Sequence, residues 1–171
     1  MAESLNPNPL IVDLPYHINY KHSYGKVSPY FVGLKNKKLL GTICRNKEKH
    51  RSKTELLFLP PRADCPECMA EIKEWVDLTN NEFRIYTYTI AYFAGESFLN
   101  QVPYILINVE VVGYDTSYSK LTSTLVINEP GEINIKPEEI KIGMKVKPKF
   151  RDVPLESITA NSLYFVPAEK P

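Results

Sequence analysis

The chain has 171 residues, 43% of them hydrophobic and 24% charged, with 3 cysteines. That length supports one domain or two small ones, and the composition excludes collagen, coiled coil, long disorder and a disulfide-dense secreted scaffold. With 21 Lys and Arg against 20 Asp and Glu, the net charge of +1 supplies no global field to draw the chain to DNA or to an anionic membrane.

The most apolar stretch, residues 102–112, is interrupted by Pro103, Asn108 and Glu110, so no membrane span is expected. The opening MAESLNPNPL lacks the basic-then-apolar layout of a secretory signal, and a reducing cytoplasm is the expected location. Charge is distributed unevenly. Lys35 to Lys53 holds eight basic residues and one acid, Glu48, and Lys136 to Arg151 holds six basic residues and two acids.

In chain order, Pro7, Pro9 and Pro15 keep the first fifteen residues out of helix and central strand, which predicts an arm that is disordered or laid on a surface. Ser28-Pro29 reads as an N-cap and a first helical position, with Tyr30, Phe31 and Leu34 as a short apolar face, so a helix is expected over about 28–37. Leu39 to Cys44 and Leu56 to Leu59 then read as strands around a polar, basic loop. From Ile72 onward the texture is nearly all β: Phe83 to Ile90, Tyr104 to Val112, Leu121 to Ile127, Met144 to Phe150 and Ser162 to Val166 alternate apolar with polar residues or are rich in β-branched and aromatic ones. Pro137 to Ile140 offers one helical turn. A run of five or six strands in this space predicts a small barrel of the OB type.

Cys65-Pro66-Glu67-Cys68 is a Cys-x-x-Cys knuckle whose tight turn points two sulfurs the same way, as tetrahedral zinc requires. Two more ligands are needed from a second hairpin. Cys44 ends the preceding strand, Lys47 stands where a partner cysteine would, and His50 is the nearby residue of suitable softness. Cys44, His50, Cys65 and Cys68 are therefore read as a Cys3His structural zinc site. Two alternatives stay open: a metal-free degenerate ribbon with His50 solvated among lysines, and a thioredoxin-like redox pair, which would want a helix after the knuckle rather than a strand.

The pieces Ser28 to Leu34, Leu40 to Cys44, Leu59-Pro60-Pro61-Arg62-Ala63-Asp64-Cys65-Pro66-Glu67-Cys68, Glu74 to Leu78, Tyr86 to Thr89, Val102-Pro103-Tyr104 and Ile142 to Val146 together resemble the zinc-ribbon/OB-fold family first catalogued as domain of unknown function 35. The family's usual first Cys-x-x-Cys is here a longer loop, Arg45 to Glu55, preceded by a single cysteine. The resemblance implies a mainly β fold: an N-terminal arm and helix over 1–37, a rubredoxin-like zinc ribbon over 38–76 and a C-terminal OB-fold barrel over 77–171. It also implies a non-catalytic accessory subunit of a thiolase-superfamily enzyme acting on acyl-CoA, in a hetero-oligomer whose barrel helps enclose coenzyme A. Catalysis would then sit in the partner.

The residues agree with that division of labour. His17, His22 and His50 lie in the arm or the ribbon loop, and no nucleophile elbow, phosphate loop or His-Glu-x-x-His motif is present. Acyl-CoA or partner contacts are expected from Tyr86, Tyr88, Tyr92, Phe98, Leu99 and Pro103, and from Tyr30 and Phe31 in an aromatic arm with Tyr16, Tyr20 and Tyr24. The competing explanation of that alternating strand is an ordinary core face with one exposed aromatic. The rival function is a nucleic-acid-binding ribbon and OB barrel, against which stand the balanced charge and the lack of aromatics within Arg45 to Thr54. A free-standing acyl-CoA carrier is a third reading.

Overall fold

The computed structural model describes residues 20–170 together with Asp13, Pro15 and Ile18, leaving aside the side chains of residues 96–98. Apart from Asp13 and Pro15, the expected arm over residues 1–15 lies outside the described residues, as do Tyr16 and His17. Pro29 opens the helix α1 (Ser28–Lys35), which buries Tyr30, Gly33 and Leu34. Ser28 is its first residue rather than its cap, and the Ser28 hydroxyl donates to the Gly25 carbonyl at 2.7 Å. The helix stops where Lys37 takes a left-handed φ of 58° and the Lys38 N–H turns back to the Gly33 carbonyl at 2.8 Å.

The first sheet is antiparallel, with β1 (Leu40–Cys44) between β2 (Leu56–Phe58) and β3 (Glu74–Asp77). Gly41 lets these layers close. A Cβ built there would stand 2.9 Å from Leu78 Cδ1 and 3.1 Å from the Phe58 carbonyl oxygen. Because that oxygen belongs to a buried strand and cannot swing aside, Gly41→Ala should destabilise the protein by about 1–3 kcal/mol, measurable by urea denaturation.

The second sheet closes on itself. Its strands are β4 (Phe83–Ala91), β5 (Tyr104–Val111), β6 (Leu121–Leu125), β7 (Lys145–Phe150) and β8 (Leu163–Pro167), in the order β4-β5-β6-β8-β7 with β6 and β8 parallel. This is the OB order expected from the strand count. Period-two alternation turns Ile105, Ile107, Val109 and Val111 of β5 inward, and Phe83 meets Phe165 edge to face inside the barrel at 5.4 Å between centroids. Besides the turn at Pro137–Glu139, single 3-10 turns stand at Glu96–Gln101, Leu155–Ser157 and Ala160–Ser162. The sequence pattern signals only the turn at Pro137–Glu139, because the other three are too short to show an apolar periodicity.

Ribbon and barrel share a core: Leu39, Ile43, Leu57, Leu59 and Leu78 pack in one cluster with Phe83, Ile85 and Val109. The loop between β5 and β6 adds a polar clasp, where the Leu57 N–H donates to the Asp115 carbonyl and the Leu59 N–H to the Ser119 hydroxyl, both at 2.9 Å. Among the described residues no helix is long and apolar enough to cross a membrane.

One strand edge stays open. β4 pairs with β7 only through Phe83 and Arg84, and Ile85 then exchanges backbone bonds with Gly143 and Met144. Tyr86 falls at a bulge; from Thr87 to Ala91 the backbone pairs with β5 on one side, and from Tyr86 to Ala91 the other side has no backbone partner among the described residues. The basic run on β7 is largely neutralised, with Lys147 and Lys149 both paired to Glu132 at 2.6 and 2.5 Å. Lys147, then Lys149, hold the Glu132 carboxyl below its ordinary value of 4.5. The sign follows: a folded-state value below the unfolded one stabilises at pH above 4.5, and that contribution is lost as pH falls through the folded value. Glu132→Gln should therefore flatten the stability–pH curve on the acid side of pH 4.5, read from urea midpoints between roughly pH 3 and 6.

Candidate metal centre

Cys44 closes β1, Cys65 and Cys68 flank a turn, and His50 follows a 3-10 turn at Lys47–Lys49, so three separate segments converge. The knuckle is built by backbone bonds: Met69 N–H to the Cys65 carbonyl and Cys65 N–H to the Ala70 carbonyl, each 2.9 Å, with Met69 left-handed at φ 58°. Ile72 N–H to Ala63 carbonyl at 2.7 Å closes its base. The four ligand atoms of Cys44, His50, Cys65 and Cys68 all lie within 4.8 Å of one another. The Cys44 sulfur is 3.3 Å from His50 Nε2 and 3.6 Å from the Cys68 sulfur, and the Cys65 sulfur is 3.5 Å from the same Nε2.

Those separations can be compared with zinc geometry. Bond lengths of about 2.3 Å to sulfur and 2.0 Å to nitrogen at tetrahedral angles put neighbouring ligand atoms roughly 3.5–3.8 Å apart. The three closest separations, 3.3–3.6 Å, are near these values, and the donor set fits such an ion once its wider pairs, within 4.8 Å, draw in. His50 is 1% exposed, and its Nδ1 donates to the Thr54 carbonyl at 2.6 Å in the tautomer that leaves Nε2 free to ligate.

Electrostatics divide the thiols. The Ala70 backbone N–H, ahead of the opposing effect of burial, holds the Cys68 thiol down to about 6, and His50 adds to this. Burial pushes the Cys44 thiol up to about 12. Burial alone would lower His50, but its bond to Thr54, then its contact with Cys68, leaves it above its ordinary value. One side chain is thus ready to meet a cation as thiolate, while Cys44 gives up its proton only as metal arrives. With four protein ligands filling a tetrahedron, no position remains for substrate or water, so the arrangement can crosslink but not catalyse through the metal.

Surrounding charge fixes the loop that carries His50. The Arg45 guanidinium bonds Glu74 in a fork at 2.6–2.9 Å and Glu55 at 2.5 Å. Glu67, inside the knuckle, accepts the Arg51 N–H at 2.5 Å and the Tyr118 hydroxyl from the barrel. Sequence reading passes over these ties, since Arg45 and Arg51 read only as members of a basic run and Glu67 as a spacer between thiols.

The other predicted contact residues fall into three groups. Tyr86, Tyr88, Tyr92 and Leu99 are 50%, 38%, 62% and 53% exposed around the β4–β5 hairpin, with Pro103 exposed beside them. The side chain of Phe98 is outside the described residues. Tyr30 is a correction: it is 3% exposed in the core, because its place on the inner face of α1 turns it toward Leu34 rather than outward. Phe31 is half-buried and stacks on Tyr24 at 3.5 Å between centroids, and the Tyr24 hydroxyl donates to the Ile158 carbonyl of the barrel at 2.9 Å. These two aromatics are used within the chain, which leaves Tyr20 as the exposed aromatic of the described arm.

A mainly β chain with a Cys3His ribbon ahead of an OB barrel is a narrow class. No family model matches the chain. A DUF35 domain-containing scaffold protein of Methanocaldococcus jannaschii is 25% identical over 115 residues, which cover 67% of this chain and 69% of the relative. The Ltp2-ChsH2(DUF35) aldolase superposes with a TM-score of 0.60 at 22% identity, over 88% of this chain and 100% of that one. The crystal structure of a DUF35-family protein of unknown function from Sulfolobus solfataricus superposes with a TM-score of 0.54, also at 22% identity, over 84% and 86% of the two chains. At that identity the two structures speak for the fold, and the scaffold protein speaks for the sequence. In sequence the chain resembles that DUF35 scaffold protein and in fold the two DUF35 structures, so its likeness is to the domain-of-unknown-function-35 family.

Proposed function

We propose that the chain is a non-catalytic scaffold subunit, with a structural zinc ion in its ribbon, of a cytoplasmic thiolase-superfamily enzyme that acts on acyl-CoA. The observation that carries this reading is the edge of β4 that has no backbone partner among the described residues. Tyr86-Thr87-Tyr88-Thr89-Ile90-Ala91 offers six residues of backbone with no charge and no proline, beside exposed Tyr92, Phe93 and Leu99. Such an edge left bare invites pairing with any other chain, and natural proteins cover or charge it unless a partner does so. A large exposed aromatic surface supports the same conclusion.

Two further facts support the reading. The Methanocaldococcus relative is a scaffold protein, and the similar solved structure is an aldolase with two named components. The four ribbon ligands, Cys44, His50, Cys65 and Cys68, would hold the zinc, which supplies a crosslink between β1, the His50 loop and the knuckle. In this account residues 1–37 and 38–76 form the arm with its helix and the ribbon, and 77–171 the barrel that borders the CoA channel. The test is affinity purification of the tagged chain from its native source. A thiolase-superfamily protein at fixed stoichiometry, lost on Tyr88→Lys, supports the proposal; recovery of the chain alone, or with salt-sensitive nucleic acid, overturns it.

A further inference from the structure

A second feature of the barrel is separate from both the ribbon and the β4 edge. The outer face of β5 and β6, together with the loop from Arg151 to Ser162, encloses a groove of about 820 Å³. Its lining includes the apolar surfaces of Tyr104 and Leu106 of β5 and of Val153, and the polar side chains of Gln101, Thr124 and Asn161. Volumes of roughly 300–1,000 Å³ are those of small-molecule sites, and this strand face with its two flanking loops is where OB barrels present ligand-binding surface.

The groove has one cation, and that cation is prepared. Arg151 lies over the Tyr164 ring at 4.9 Å, and its Nε donates to the Asn161 carbonyl at 3.1 Å. The stack and the bond fix the plane of the guanidinium and leave its two terminal nitrogens available. On the same stretch of chain Lys145, Lys147 and Lys149 are each paired with a glutamate, whereas no acidic side chain pairs with Arg151 among the described residues. The side chains of Gln101, Thr124, Ser157 and Asn161 make no bond to the protein among the described residues, so their amides and hydroxyls can serve a ligand.

This lining selects a ligand. An aromatic and aliphatic lining suits an aromatic base, neutral donors and acceptors suit ribose hydroxyls, and a single fixed guanidinium suits one phosphate through two parallel bonds. A long polyanionic strand would need a row of cations, and Asp152 and Glu156 on this loop oppose it. We propose that the β5–β6 groove is a binding site for a nucleoside monophosphate unit, with Arg151 on the phosphate. The unit has two sources, a free mononucleotide or the adenosine-phosphate end of coenzyme A. For a free mononucleotide the assignment rests on the groove alone; its coenzyme A source deepens the CoA channel of the proposed function and rests on that reading.

Calorimetric titration of the intact chain with AMP, adenosine, coenzyme A and a ten-residue oligothymidylate tests it. AMP should bind saturably, and Arg151→Gln should weaken AMP about tenfold or more while changing adenosine little. Coenzyme A binding as well as AMP assigns the site to that cofactor; AMP binding alone assigns a free nucleotide. Thr124→Trp, which fills the groove from a strand position facing outward, should abolish binding at unchanged thermal stability. Absence of saturable AMP binding, AMP affinity indifferent to both substitutions, or binding of the oligonucleotide in preference to AMP would overturn the proposal. A site that binds AMP in a chain with no enzyme partner would leave this assignment standing while the scaffold reading fell.

Discussion

Cys65→Ala should take the chain from about one bound zinc to about none, and should unravel the ribbon while the barrel stays closed. Cys65 is 1% exposed, and its backbone holds both hydrogen bonds that shape the knuckle. Around it the packing is thin: Cys44, Leu56, Phe58, Cys65 and Ile72, with Cys68 against them, form a separate small cluster. Structural zinc sites carry apparent binding free energies on the order of 10 kcal/mol, comparable to the burial of this whole small cluster, so loss of the ion removes about half of what holds it. Phe83, Ile107, Val109 and Phe165 of the barrel lie in the larger cluster, separate from this small one around the ligands. Metal analysis with residue-resolved hydrogen exchange checks both halves of the statement. Protection should vanish at residues 63–72 and persist along β5. Full zinc occupancy in the variant would remove Cys65 from the ligand set.

Phe165→Ala should cost about 3–5 kcal/mol, because the ring is wholly buried and loses both its burial and its edge-to-face contact with Phe83. Its position magnifies the loss: β8 is the strand that joins β6 to β7 and closes the barrel. For a protein of this size a melting-temperature drop on the order of 10 °C is expected, with zinc content unchanged. A drop below about 2 °C would mean that the barrel does not close through this pair.

Legibility from sequence varied with the physical origin of each feature. The barrel strands were readable because burial on one side of a sheet imposes period two, and β5 and β6 display it. The knuckle was readable because two thiols three apart with proline between them have few other uses. His50 was reached by chemical softness, and the structure brings it to 3.3 Å from the Cys44 sulfur. Tyr30 was misjudged because an eight-residue helix gives too few turns to tell its inner face from its outer one. The open edge of β4 could not be read at all, since strand pairing is a property of topology: β7 stops pairing after Arg84 for reasons that lie around Gly143. The Arg151 groove is invisible for the same reason, being assembled from a loop and three outward-facing positions on two strands, Tyr104, Leu106 and Thr124, distant from that loop in the chain.

The account depends most on the chain having a structural and not a chemical part in acyl-CoA turnover. The direct measurement is acyl-CoA cleavage or transfer by the purified zinc-loaded chain, by the thiolase-superfamily protein proposed to accompany it, and by the two recombined. The account predicts no turnover by the chain alone and full turnover only on recombination. Turnover by the isolated chain, or full activity of the partner without it, would contradict the claim.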